Sequence, residues 1–195
     1  YDNDNIRIED YRLPVSLKMV NVTGGEILDY AFESCTYIEN ISIPDSITQI
    51  GESAFSGCSY LKSFDIPQSV TEIKQETFKS CASLESITVP SNVTTLGYEC
   101  FSYCESLTDI TLPDGLQKID LYAFEGCRAL KNIVIPDSVT EMLYGVFKNC
   151  DSLESLTTPC MGYVFGNYKY PIADWFGVSY QNDKYDESKY YRISR

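Results

Sequence analysis

The chain has 195 residues, 44% of them hydrophobic, enough for a buried core and too many for a disordered polymer. Its formal net charge of −13 repels the phosphates of nucleic acids and anionic membrane surfaces. Histidine is absent, which removes Ser-His-Asp and Cys-His catalysis, the usual zinc-hydrolase ligand sets and the commonest general base at neutral pH.

In chain order, residues 1–16 read as an N-terminal joint segment that opens on the polar stretch Tyr1-Asp2-Asn3-Asp4-Asn5, with no secretory leader visible. The pattern Leu17-x-x-Val20-x-Val22 opens a first coil, residues 17–37, in which Thr23-Gly24-Gly25 takes the place of a proline turn. Further coils follow at 38–60, 61–83, 84–106, 107–129 and 130–152. A seventh strand begins at Leu153 and stops at Pro159, where the repeat is expected to end. Residues 160–195 form an aromatic-rich C-terminal cap or joint. No run of about 18 apolar residues occurs anywhere, so no membrane-spanning helix is expected.

The coils rest on three residue types in one phase. Cysteines at 35, 58, 81, 104, 127 and 150 recur at a step of 23 residues. Phenylalanines from Phe32 to Phe147 and prolines from Pro44 to Pro159 keep the same step. Within one repeat, Leu61, Phe64 and Ile66 alternate as a strand with one buried face should, and Pro67 ends that strand because it cannot donate to a ladder. Pro44-Asp45-Ser46 and Pro113-Asp114-Gly115 read as turns, and each Ala-Phe-x-x-Cys piece has room for one short helical turn. A single repeat cannot bury its apolar side chains alone, but stacked coils can. The expected architecture is an α/β repeat solenoid, a right-handed coil with a parallel sheet on one side and turns and short helices on the other.

The pattern L-x-x-L-x-I-P-x-S-V-T-x-I-x-x-x-A-F-x-x-C resembles the BspA-type leucine-rich repeat over residues 17 to 159. Thr77, Cys100 and Val146 replace the alanine, and Leu28, Asp120 and Leu143 stand where glycine is frequent. The resemblance implies a protein of bacterial cell surfaces or of some parasitic protists, acting in adhesion or interaction. Fold alone does not name a ligand.

The two ends of the chain also echo each other. Tyr180-Gln181-Asn182-Asp183 repeats Tyr1-Asp2-Asn3-Asp4, and Tyr191-Arg192-Ile193 repeats Tyr11-Arg12-Leu13. This pairing is expected of one period in a larger array whose gene continues past Arg195.

The sheet face presents two rows, Asn40, Ser63, Ser86, Asp109, Asn132 and Ser155 beside Ser42, Asp65, Thr88, Thr111, Val134 and Thr157. Such an extended surface serves binding in solenoids, or is a plain solvated face. It holds no nucleophile beside a base and no carboxylate cluster. The cysteine spacing lacks the paired C-x-x-C of zinc sites, and equivalent cysteines about 4.8 Å apart would point in parallel, so free structural thiols are expected. Cys100 and Cys160, off the ladder, are the candidates for reactivity. Asp114 and Asp137 are explained by turn chemistry without a calcium ion. Tyr98, Tyr122 and Tyr144 fall together on the opposite face, as an interaction patch or packed between coils. The terminal aromatics, among them Tyr163, Tyr170, Trp175 and Phe176, cap the solenoid end or form a platform for carbohydrate or peptide. Asn21, Asn40 and Asn92 open glycosylation-type triplets in places where strands and turns hold such residues by default.

The expected function is a secreted or surface-displayed adhesion module without enzymatic activity or cofactor, binding a protein or a carbohydrate through the sheet face. The alternative is a structural spacer of a longer surface protein. Oligomeric state stays open, since an incomplete seventh coil leaves a strand edge available to another chain.

Overall fold

The computed structural model describes residues 14–159, 162–165 and 168–177. The chain winds into stacked coils whose sheet-face strands pair in parallel. Met19–Asn21 pairs with Asn40–Ser42, Ser86–Thr88 with Asp109–Thr111, and Asn132–Val134 with Ser155–Thr157. Each of these strands is three residues long, and its central residue packs inward, buried at Ile41, Ile87 and Ile133 and half-buried at Val20, Ile110 and Leu156. That is the period-2 alternation of a strand covered on one face.

Residues 63–65 have the same in-and-out alternation but make no ladder. Their inward residue is Phe64, where adjoining coils place Ile41 and Ile87. Its ring wedges between Phe55 and Phe78, with centroids at 4.6 and 5.2 Å. The ladder is also interrupted between Asp109–Thr111 and Asn132–Val134, so the sheet face is built of three strand pairs.

Two features differ from the expected architecture. First, there is a second line of parallel strands: Glu72–Ile73, Thr95–Leu96, Lys118–Ile119 and Glu141–Met142 join in sequence order. An isolated bridge from Ile27 to Ile50 extends the same line. Second, the coils contain no short helices. The Ala-Phe-x-x-Cys segments are hydrogen-bonded turns whose amides bond to the next coil, as in Phe78 N–H to Cys100 C=O and Phe101 N–H to Ala123 C=O, both 2.9 Å. The reason is two left-handed corners per coil. One falls at Tyr30, Ser53, Glu76, Glu99, Tyr122 and Gly145, the other at Ser34, Gly57, Ser80, Tyr103, Gly126 and Asn149. A right-handed helix cannot run through a residue at positive φ.

The core is a set of columns along the solenoid axis. Phe32, Phe55, Phe78, Phe101, Phe124 and Phe147 stack ring on ring, with centroids 5.4 to 5.9 Å apart. From Phe55 to Phe147 they are fully buried. Beside them runs the cysteine column. Each Sγ–H from Cys58 to Cys150 donates to the carbonyl of a phenylalanine in the preceding coil, at 3.1 to 3.3 Å. At Gly51 the backbone of Leu28 and Asp29 lies where a Cβ would be, so a larger residue cannot enter without moving the coil before it.

Coil geometry also returns past Pro159, where the repeat was expected to end. An antiparallel hairpin, Gly162–Phe165 with Tyr168–Pro171, leads into the single turn of helix Ile172–Trp175. Gly145 and Phe147 then donate their amides to the carbonyls of Asp174 and Trp175, both at 2.7 Å. In the other coils these bonds go to the next repeat. Trp175 is fully buried, and the Phe176 ring packs against Phe147 at 6.0 Å, tilted by 41°. Trp175-Phe176 thus fills the place of Ala-Phe, and the hairpin is an insertion that hid the phase.

Candidate binding face

The two sheet-face rows stand as the spacing implied. Asn40, Ser42, Ser63, Asp65, Ser86, Thr88, Asp109, Thr111, Asn132, Val134 and Thr157 are exposed, and Ser155 is half-buried. Strand register aligns them directly: Ser86 opposite Asp109, Thr88 opposite Thr111, Asn132 opposite Ser155 and Val134 opposite Thr157. Register also adds two residues that the sequence reading left out. Met19 lies opposite Asn40 and Asn21 opposite Ser42, so both rows begin one coil earlier. The shared strand pattern of Leu17, Val20 and Val22 was the signal that could have supplied them.

Along one margin runs a chain of charges. Lys18 and Lys62 both bond the Glu39 carboxylate, at 3.4 and 3.3 Å. The hydrogen bond from Lys62, then that from Lys18, holds this carboxyl below its ordinary range. Arg128 meets Glu105 across another pair of coils at 3.2 Å. These exposed pairs fix side-chain direction more than they add stability.

Most of the described thiols are sealed in the core. Cys35, Cys58, Cys81, Cys100, Cys104, Cys127 and Cys150 are unpaired, and all but the half-buried Cys35 are buried. Burial pushes Cys58 and Cys150 up to about 12, and Cys81, Cys104 and Cys127 well above the ordinary thiol range. Cys100, expected to be a reactive exception, is fully buried and raised by the same loss of hydration. A thiol without thiolate character or access is not a nucleophile. Cys160 lies outside the described residues.

The other aromatic candidates separate clearly. Tyr98, Tyr122 and Tyr144 do meet, edge to face, at 6.2 and 5.7 Å. They are half-buried, and the hydroxyls of Tyr98 and Tyr144 are used within the fold. The hydrogen bond between Tyr98 and Glu99 drives the Tyr98 phenol up to about 12. The Tyr144 hydroxyl donates to the Gly177 carbonyl at 2.7 Å. This cluster is packing between coils. Trp175 is likewise sealed in the core, so it cannot serve as a platform. The side chains of Tyr163 and Tyr170 lie outside the described residues.

Asp114 and Asp137 are exposed turn residues, and the described residues contain no cluster of His, Cys, Asp and Glu able to hold a metal ion. Asn21, Asn40 and Asn92 are exposed, and Asn92 donates to the Gln68 carbonyl of the preceding coil at 2.8 Å. No described helix is long and apolar enough to cross a membrane.

Comparison with known proteins places this geometry. The profile of the BspA type leucine rich repeat region matches residues 25–160 in 6 copies. A leucine rich cell surface protein from Faecalibacterium prausnitzii A2-165 is similar at 37% identity and a TM-score of 0.68, over 80% of this chain and 42% of its own. The T. pallidum leucine rich repeat protein is similar at 26% identity and a TM-score of 0.67, over 91% of this chain and 86% of its own. A leucine-rich repeat protein from Bacteroides ovatus ATCC 8483 is similar at 34% identity and a TM-score of 0.52, over 74% of this chain and 50% of its own. This chain therefore spans less than half of the F. prausnitzii protein. No curated protein matches it. The repeat match over most of its length, on a stack of parallel-strand coils, makes the chain a member of the BspA-type leucine-rich-repeat family.

Proposed function

We propose that the chain is a non-enzymatic binding module of a bacterial surface or secreted protein, which takes a protein or glycan ligand on its sheet face. The observation that carries this reading is the pair of rows, exposed but for the half-buried Ser155, running from Met19 and Asn21 to Ser155 and Thr157 on one face. Small side chains there leave backbone and hydroxyl groups open to a partner laid along the solenoid axis, the usual binding surface of repeat proteins. The family's association with cell surfaces and the F. prausnitzii cell surface protein support the location. The buried thiols and the missing histidine support the absence of catalysis.

The rows contain neither Trp, Tyr nor Arg, the side chains that usually anchor interfaces. That observation favours a second reading, a spacer that holds other domains of a longer protein apart. A binding screen of the purified chain against extracellular-matrix proteins and immobilised glycans separates the two. Saturable binding that falls in the Thr88→Lys/Thr111→Lys variant supports the sheet face. Silence from a folded sample favours the spacer.

A further inference from the structure

One corner of the coil divides the repeats into two kinds. It holds Tyr37 and Tyr60 in succession, then Ser83, Ser106, Ala129 and Ser152 at the same step. The later coils stack without a ring there, so the fold does not require one. The two tyrosines are nonetheless 44% and 47% exposed, and they lie side by side with centroids 5.9 Å apart and planes tilted by 32°. Large rings left in water forfeit the stabilisation that burial would bring.

Their surroundings hold them in place. The Lys18 ammonium sits 5.6 Å from both ring centroids. It is also bound to Glu39, which in turn holds Lys62. Asn40, second in its sheet-face row after Met19, follows Glu39 directly. Unlike those of Tyr98 and Tyr144, the Tyr37 and Tyr60 hydroxyls have no partner among the described residues.

We propose that Tyr37 and Tyr60, bordered by Lys18, Glu39, Lys62 and Asn40, bind an oligosaccharide. A sugar ring offers an apolar C–H face and a rim of hydroxyls. The tyrosine faces take the first, as aromatic rings with a polar tip do well. The carboxylate, the two ammonium groups and the amide take the second as acceptors and donors. Protein anchors seat in water-excluding pockets, and a standard interface covers about 800 Å² per partner. Two rings on an open flank offer neither, but they suit one or two sugar units. Because Lys18 already fixes both rings, little side-chain freedom is lost on binding. The site rests on the surface-binding reading for its access to glycans, and uses a patch at the margin of the sheet face.

The test is an array of neutral and acidic oligosaccharides probed with the whole chain, each hit then titrated in solution. The expected result is saturable binding that weakens at least about tenfold in Tyr37→Ser/Tyr60→Ser, an exchange to the residue of the later coils, with an unchanged melting temperature. The single exchanges Tyr37→Ser and Tyr60→Ser each weaken binding in part. Glu72→Gln, exposed on the second strand line and outside both surfaces, leaves these hits within about twofold. Absence of any oligosaccharide hit overturns the proposal. So does a hit that survives in the folded double-serine variant. A glycan hit lost only in the Thr88→Lys/Thr111→Lys variant overturns it too, while sustaining the sheet-face reading.

Discussion

The cysteine column shows how one residue type serves three demands of a coil. Cysteine is small enough to stack in every repeat, apolar enough to be buried, and able to give a weak second hydrogen bond to a carbonyl that already accepts an amide of its own coil. The same burial makes stability depend on pH in a definite direction. A thiol raised from 9.0 to about 12, as at Cys58 and Cys150, releases its proton first in the unfolded chain. Its contribution is therefore complete below the ordinary thiol value and is lost as pH rises from there toward the folded value. Denaturant melts are expected to give constant stability from about pH 7 to 8 and a progressive fall above about pH 9. A rise above pH 9 would contradict the burial of these thiols. Alkylation of the native chain at neutral pH, mapped by mass spectrometry, should spare Cys81, Cys100, Cys104 and Cys127, which react only in denaturant.

The left-handed corners are the second residue-scale feature. Gly57 and Gly126 occupy one of them, but Ser80 does so at φ 58. Valine there is expected to cost about 2 kcal/mol, because a β-branched side chain crowds the backbone at positive φ, whereas Ser80→Gly should cost nothing measurable. Thermal melts of the two variants check this. Such corners were hard to foresee, since Tyr30, Glu76, Glu99 and Tyr122 occupy positions where glycine would have announced the turn.

At the scale of elements, the outline of each coil was legible because phenylalanine, cysteine and proline keep one phase, and each makes a separate demand of ring stacking, tight burial or strand ending. The second strand line was not legible. Its strands are two residues long, as in Thr95–Leu96, too short for alternation to show. Nor was the return of the coil at Trp175-Phe176, because the inserted hairpin shifts it out of phase and tryptophan replaces alanine. The binding rows were legible except at their first coil, where Thr23-Gly24-Gly25 stands in for the proline turn. The end closure makes a sharp prediction. Trp175→Ala should cost about 3–5 kcal/mol locally, as for other large buried side chains. In hydrogen exchange, the Gly145 and Phe147 amides should lose protection well before those of Phe78 and Phe101. Equal protection at both places would mean that residues 172–177 do not close the end.

Over the whole molecule, each coil touches only its neighbours, so stability is a sum of repeat and interface terms. Phe101→Ala, at the middle of the ring column, is expected to cost about 3–5 kcal/mol and to weaken both adjoining interfaces. The net charge of −13 sets the long-range field and favours basic partners, with association that slows as salt rises. Among the described residues, the surface features that bear on binding are a sheet face of mostly small polar groups and a tyrosine pair at one margin.

The measurement that bears most directly on the central claim is the affinity of the folded chain for extracellular-matrix proteins and glycans, taken beside Thr88→Lys/Thr111→Lys with its melting temperature recorded. The account predicts saturable binding by the wild type and, for ligands held on the sheet face rather than at Tyr37 and Tyr60, loss of at least about tenfold in the variant at unchanged stability. Binding that ignores these substitutions and those at Tyr37 and Tyr60, or no binding at all, would contradict it.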